Sequence, residues 1–251
     1  RPPAPVEVLE PERRLLTFLV ADVNGSDVLL ARTGIERWAE VMDGILNRLG
    51  AEAVQFGGEI HTRSDRGLIA YFGADRTHED NPERAVLTAQ AMDRVFKDTV
   101  SAIAQGRDHA HAGEMASLKD LTLTVGIVTG DAVVSGSEIA QGASRVRTAV
   151  LPIAQETQTL VTPGMLWVGE TTHRMVASRF AWERGNPVTL AGSEETVAIF
   201  HPVRNLDRDA LRRDPDLLRS PLVGRETEFE VLQAAIADMQ HGVGSVVTLV
   251  G

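Results

Sequence analysis

The chain of 251 residues contains no cysteine, and none of its apolar runs approaches the roughly 18 residues that a membrane span needs. Without thiols the protein can form neither disulfides nor thiolate metal sites, so a reducing cytoplasm is the expected compartment. The opening Arg-Pro-Pro-Ala-Pro lacks the charged-then-apolar pattern of a signal peptide. We therefore expect a cytoplasmic protein that does not associate with a membrane.

Lysine is scarce as well. The chain has 25 basic residues, of which only Lys97 and Lys119 are lysines, and its formal net charge is −10. Binding of nucleic acid requires clustered basic residues that neutralise phosphates, so a nucleic-acid partner is not expected. With 43% hydrophobic residues, the chain can bury one large core, or one core and part of a second.

Changes in composition and pattern divide the chain into four parts. Residues 1–12 are rich in proline and are expected to be a flexible lead-in. Residues 13–203 alternate strand and helix patterns, which predicts an α+β domain with a helix-covered sheet. Residues 204–220 are highly charged and suit a linker, and residues 221–251 predict an amphipathic helix followed by an apolar strand.

Within residues 13–203, three segments are the most informative. "RRLLTFLVADV" predicts a strand that is buried on both faces and ends near Asp22. "LTLTVGIVTGDAVVSG", residues 121–136, predicts a hairpin that turns at Thr129-Gly130-Asp131. "GGEIHTRSDRGLIAYFG", residues 57–73, predicts another hairpin, and its tip contains two arginines around a single carboxylate, which is unusual turn chemistry.

These three segments, with "TPGMLWVGETTHRMVASRF" and "VTLAGSEETVAIFHPV" after them, resemble in collinear order the catalytic domain of class III adenylate and guanylate cyclases. The resemblance covers residues 13–203 and implies a ferredoxin-like class III cyclase fold with a mostly antiparallel sheet. Residues 221–251 resemble the start of a signal-transduction ATPase module with a P-loop. If the natural chain continues, a phosphate-binding loop is expected at or within a few residues of Gly251.

The resemblance also implies which residues would carry the chemistry. In this family one subunit of a dimer supplies two aspartates, which hold two metal ions against the triphosphate. Asp22 matches the first aspartate. When the glycines at both ends of residues 57–73 are matched, the family's base-reading lysine falls on Thr62 and its second aspartate falls on Arg66. Asp65 is one residue away and would replace that aspartate only if the strand register slipped.

The other subunit of a family dimer supplies the groups that hold the base, the ribose and the phosphates. Counting back from Pro163-Gly164, the ribose-orienting asparagine falls on Pro152, the transition-state arginine on Glu156 and a base-reading residue on Arg145. A phosphate-binding lysine falls on Ala191. Proline has no amide group to donate, and Glu156 inverts the charge that is needed opposite the phosphates.

Two functions follow from this pattern of substitutions. The first is a degenerate, catalytically inactive cyclase homology domain that serves as a regulatory and dimerisation module for an attached ATPase. The alternative is an active cyclase with an atypical site. A third hypothesis is an anionic ligand bound by Arg63, Arg66 and Arg145. No cofactor is expected, Mg²⁺ or Mn²⁺ would be needed only by the active alternative, and the expected partner is a second copy or another cyclase-like domain.

Overall fold

The computed structural model describes residues 12–74, 80–105, 117–135, 145–191 and 196–206. The chain divides into one unit that spans Arg1–Asn205 and a second that spans Leu206–Gly251. The predicted lead-in lies, except for Glu12, outside the described residues. So do the ATPase-like segment and nearly all of the linker, so these domain assignments remain predictions.

A mostly antiparallel sheet of eight strands forms the centre of the first unit, which confirms the predicted α+β class. Its main path runs in the order β2-β3-β1-β4-β6-β10-β7, and β5 pairs with β4 beside that path. Only the pairing of β4 with β6 is parallel among the described strand pairs. The strands of this sheet are β1 Glu12–Asn24, β2 Glu59–Arg63, β3 Gly67–Phe72, β4 Thr122–Ser135, β5 Arg145–Thr148, β6 Leu166–Gly169, β7 Phe180–Arg184 and β10 Ile199–Asn205. The short strands β8 Val188–Thr189 and β9 Thr196–Val197 pair separately.

Helices cover both faces of this sheet. Their bounds are α1 Ser26–Thr33, α2 Ile35–Gln55, α3 Asn81–Gln105, α4 Val150–Leu160 and α5 Glu170–Val176. Apolar residues at three- and four-residue spacing give α2 and α3 one buried face each. No helix among the described residues is long and apolar enough to cross a membrane.

The central strand β1 explains why the core has two layers. Its successive side chains point to opposite faces, and almost all of them between Leu16 and Val23 are buried. Leu19, Ala21 and Val23 pack with α1, α2, α3 and α5. Leu16, Phe18 and Val20 pack on the other face with α4 and Trp167. The predicted strand with two buried faces is therefore observed.

The predicted turn at Thr129-Gly130-Asp131 is wrong. β4 continues through these residues and pairs with β1 from Glu12↔Val134 to Asn24↔Thr122. Gly130 serves close packing instead, because a Cβ atom there would overlap the side chain of Val150 at the start of α4. The antiparallel partner that the sequence predicted directly after this turn comes later in the chain, where β5 pairs with the end of β4.

An aromatic cluster lies where α5 packs on β7 and β10. The His173 ring stacks on Phe200 with a centroid distance of 3.8 Å and an interplanar angle of 6°, and its edge contact with Trp182 is at 4.8 Å. Burial of the ring lowers the pKa of His173, and the nearby charge of Glu170 opposes this shift only in part. The neutral imidazole is therefore the form that this packing favours.

We predict that His173 makes the stability of the domain dependent on pH. Because its pKa is lower in the folded state, its stabilising effect is complete above its ordinary pKa of 6.5 and is lost as the pH falls from there towards the lowered value. His173→Phe keeps the ring stack but removes this titration. Thermal melting across about pH 5 to pH 7 should show a smaller decrease at acid pH for this variant. His61→Gln, at an exposed histidine of β2, is the control, and an identical pH dependence in wild type and His173→Phe would refute the assignment.

Candidate functional site

Asp22 lies at the end of β1, directly opposite Gly67 at the start of β3. The carboxylate lies so close to this glycine that a Cβ atom at position 67 would overlap Asp22 Oδ1 and the carbonyl oxygen of Ala21. Gly67 is therefore required for the position of the Asp22 side chain. The sequence match contained this glycine, but only the structure shows that it makes room for the carboxylate.

The environment of Asp22 is only partly suited to a negative charge. Burial raises the pKa of the Asp22 carboxyl, and this effect outweighs the positive charge of Arg66 and a hydrogen bond from Gln158, both of which favour ionisation. The charged carboxylate is therefore held in the fold at a cost in stability.

Gln158 is the residue of this site that the sequence analysis missed. It is buried on α4, where its Nε2 donates to the carbonyl oxygens of Thr124 at 2.7 Å and Val20 at 3.3 Å. Its Oε1 accepts a hydrogen bond of 2.8 Å from Trp167 Nε1. The only signal in the sequence is a polar side chain four residues after Ala154, on the face of α4 that packs into the core.

Strand β3 of the hairpin of residues 57–73 pairs with β1 without a register shift. The pairing continues to Asp22↔Gly67, and the Val23 N–H donates to the Arg66 carbonyl oxygen at 2.8 Å. The irregularity of the hairpin lies elsewhere, between Ile60 and Thr62 in β2. Arg66 therefore directly precedes the Asp22–Gly67 pair, and its charge acts on Asp22.

The remaining residues of the tip have different surroundings. Asp65 is exposed, and Thr62 lines the cleft described below. Arg63 points to α2, where it binds Asn47 Oδ1 at 2.6 Å and Asp43 Oδ1 at 3.1 Å. Arg63 is therefore engaged away from the cleft, which removes one of the three arginines of the anion hypothesis.

A cavity of about 240 Å³ lies between the hairpin tip, the end of β1 and α4. Five polar side chains line it: Asp22, Thr62, Ser64, Gln155 and Thr159. Val20, Leu68 and Ile69 form its apolar wall, with Gly67 beside them. The structure thus brings one carboxylate, three hydroxyl groups and one amide together in this cleft.

The residues assigned to the opposite half-site lie on or near α4. Pro152 is exposed in its first turn, and the partly buried Glu156 accepts a hydrogen bond through Oε1 from the backbone N–H of Ala191. Arg145 begins β5, where its backbone pairs with Ser135. Glu156 and Ala191, which are far apart in sequence, are therefore neighbours in the fold.

The described residues contain no group of three or more histidine, cysteine, aspartate or glutamate side chains that could hold a metal ion. Asp22 is the one carboxylate among the side chains that line the cleft. The assignment of Asp22 and Asp65 as weak candidates for metal ligands stays a prediction.

Comparison with solved structures identifies the fold. The adenylyl cyclase CyaB from P. aeruginosa superposes with a TM-score of 0.67 at 20% identity, and the match covers 80% of this chain and 99% of that one. The guanylyl cyclase Cya2 superposes with a TM-score of 0.67 at 21% identity, and the match covers 79% of this chain and 96% of that one. The guanylate cyclase domain of RhGC from Catenaria anguillulae was solved in complex with GTP. It superposes with a TM-score of 0.60 at 13% identity, and the match covers 78% of this chain and 100% of that one.

No protein-family model and no curated protein matches the sequence. The likeness to adenylyl and guanylyl cyclase domains is therefore one of structure. It confirms the cyclase fold that the sequence resemblance implied.

We predict that Asp22→Asn stabilises the protein at neutral pH. The neutral amide avoids the cost of burying a charge, which exceeds the attraction from Arg66. Because the folded-state pKa of Asp22 is raised, the gain should disappear as the pH falls through that value towards 3.8 and the native carboxyl becomes protonated. Chemical denaturation of wild type and variant across this range measures the effect. A loss of stability in Asp22→Asn at neutral pH would contradict the description of this environment.

Proposed function

We propose that this chain contains a degenerate nucleotidyl cyclase homology domain that has lost catalysis and serves as a regulatory and dimerisation module in intracellular signalling for an attached ATPase. The observation that carries the proposal is the position of Arg66. Arg66 directly precedes the Asp22–Gly67 pair, and its positive charge acts on Asp22. In the resemblance to cyclases, this position is the one matched with the second metal-binding aspartate, which supports the proposal.

The charge of Arg66 opposes the chemistry of the family. Two metal ions would bring four positive charges to this cleft, and they require carboxylates to hold them. Here the cleft offers the carboxylate of Asp22, whose charge already interacts with Arg66. A second divalent cation would meet a positive charge where it needs a ligand.

The opposite half-site supports the same conclusion. Phosphoryl transfer requires positive groups that neutralise the charge of the triphosphate in the transition state. Glu156 introduces a negative charge instead, and the Ala191 N–H that donates to it is thereby occupied by this carboxylate. Removing one transition-state donor alone typically costs about 10²–10³ in rate. Both halves of the mechanism are affected, so a partner that restored only one of them would not restore catalysis.

A dimer explains how such a domain could act without catalysis. The guanylyl cyclase domain of the RhoGC fusion protein from Blastocladiella emersonii, which shares this fold, has been solved as a dimer. Here Leu160 lies on α4 next to the cleft-lining Thr159, and it is 49% exposed, which is high for a large apolar side chain. A pair formed across this face would bring two attached modules together. The proposed ATPase partner rests on the resemblance of residues 221–251.

We predict that the purified chain makes no cyclic nucleotide from radiolabelled ATP or GTP with either Mg²⁺ or Mn²⁺. Arg66→Asp should remain inactive, because the opposite half-site still lacks its positive groups. An active class III cyclase assayed in parallel is the control for the assay. Formation of cyclic AMP or cyclic GMP that Asp22→Ala abolishes would overturn the proposal and establish the active alternative, with Asp65 as the second metal ligand.

We predict that the chain dimerises through the face that contains Leu160. Light scattering at increasing concentration should show a dimer, and Leu160→Glu should shift it to monomer because the charge would be buried in the contact. Met175→Glu is the matched control, since Met175 is 47% exposed but lies on α5. A monomer at all concentrations would contradict the dimerisation role, and equal effects of both substitutions would contradict the assignment of the face.

A further inference from the structure

The polar wall of the cleft is rich in hydrogen-bond acceptors. Ser64 Oγ donates its hydrogen to the Gly67 carbonyl oxygen at 3.2 Å, and Thr159 Oγ1 donates to the Glu156 carbonyl oxygen at 2.8 Å. A hydroxyl group has a single hydrogen, so each of these groups has only lone pairs left for a ligand. Ser64 Oγ also accepts the Arg66 N–H at 3.5 Å. With their hydrogens already donated, these two of the three hydroxyl groups that line the cavity can serve a ligand only as acceptors.

Asp22 adds the strongest acceptor of the cavity. The amide of the neighbouring Gln158 has two hydrogens, and its Nε2 donates to the carbonyl oxygens of Thr124 at 2.7 Å and Val20 at 3.3 Å. Oxygen lone pairs of Asp22 remain available on the side where it lines the cavity.

Part of the cavity lining is apolar and suits a short alkyl chain. Val20, Leu68 and Ile69 line the same cavity of about 240 Å³ as the acceptors. A pocket that combines acceptors with apolar side chains matches an amphipathic cation, which buries its methylene groups while its head group donates hydrogen bonds.

We propose that this cleft binds the guanidinium or ammonium head of an organic cation, with its alkyl stem against Val20, Leu68 and Ile69. The cation is a free small molecule or an arginine or lysine side chain of a partner protein. The inference rests on the proposed function, because it assumes that no metal–nucleotide complex occupies the cleft.

Arg66 gives this inference a sharp test. Its guanidinium interacts with Asp22 but is exposed, so it competes with a bound cation for the same carboxylate. Removing its charge should strengthen the binding of a cation, and removing the charge of Asp22 should weaken it. An anionic ligand would respond to both substitutions in the opposite direction.

The experiment is calorimetric titration of the whole chain with n-butylguanidinium at constant ionic strength, and with its neutral analogue n-butylurea. We expect saturable binding of the cation and much weaker binding of the urea. Asp22→Asn should lower the affinity for the cation by about tenfold or more, the usual scale for a charge-assisted hydrogen bond. Arg66→Gln should raise this affinity. Asp93→Asn, which removes a partly exposed carboxylate paired with Lys97 at 2.7 Å on α3, should leave the affinity for the cation unchanged. N-acetylarginine amide tests the second source, since a partner side chain predicts that this probe binds at least as tightly as n-butylguanidinium.

Three results would overturn the inference: no saturable binding of either cation, equal binding of the urea, or affinities that do not move in opposite directions in Asp22→Asn and Arg66→Gln. Arg66→Gln alters an exposed side chain, so it remains informative if Asp22→Asn fails to fold. Cyclase activity is assayed on the same preparations. If the chain neither binds the cation nor makes cyclic nucleotide, only this inference is refuted. If the chain makes cyclic nucleotide, the proposed function is refuted.

Discussion

The pairing of β1 with β3 at Asp22 and Gly67 is the constraint on which the site depends. It is the last pair between these two strands and lies at the cleft, and the missing Cβ atom of Gly67 gives the carboxylate its space. The same register fixes Arg66 through the hydrogen bond from Val23. A scaffold that is held so firmly by β1, whose two faces lie in two core layers, can keep its shape while the polar groups around the cleft change.

Three charged side chains, Asp22, Arg66 and Glu156, determine which ligands the cleft favours. Burial raises the pKa of Asp22, the positive charge of Arg66 opposes part of this shift, and Glu156 supplies a second carboxyl group, which accepts a hydrogen bond from the Ala191 N–H. The positive charge of Arg66 and the negative charge of Glu156 both disfavour a magnesium–triphosphate complex, whereas Asp22 and the hydroxyl groups of the cavity favour a positively charged donor. The proposed loss of catalysis rests on the substituted residues, and the proposed cation site rests on the acceptors that remain.

Much of the fold could be predicted from the sequence because it depends on local patterns. Apolar spacing and glycines predict the strand that contains Asp22, the hairpin of residues 57–73 and the helix-covered sheet. The turn expected at Thr129-Gly130-Asp131 was wrong because glycine serves turns and close packing alike, and only the position of Val150 distinguishes the two. Less of the site could be predicted from the sequence. The role of Gln158 and the contact of Glu156 with Ala191 depend on tertiary neighbours, which the spacing of residues does not reveal. Arg63 shows the same limit, because it lies at the hairpin tip but binds α2.

The central claim is that this cleft cannot assemble the metal pair of a cyclase. Electron paramagnetic resonance of Mn²⁺, titrated into the protein with a non-hydrolysable ATP analogue, tests it most directly. The account predicts that protein-dependent Mn²⁺ binding is weak, and that Asp22→Asn leaves it unchanged. Two spin-coupled Mn²⁺ ions bound in the presence of the analogue and lost in Asp22→Asn would contradict it.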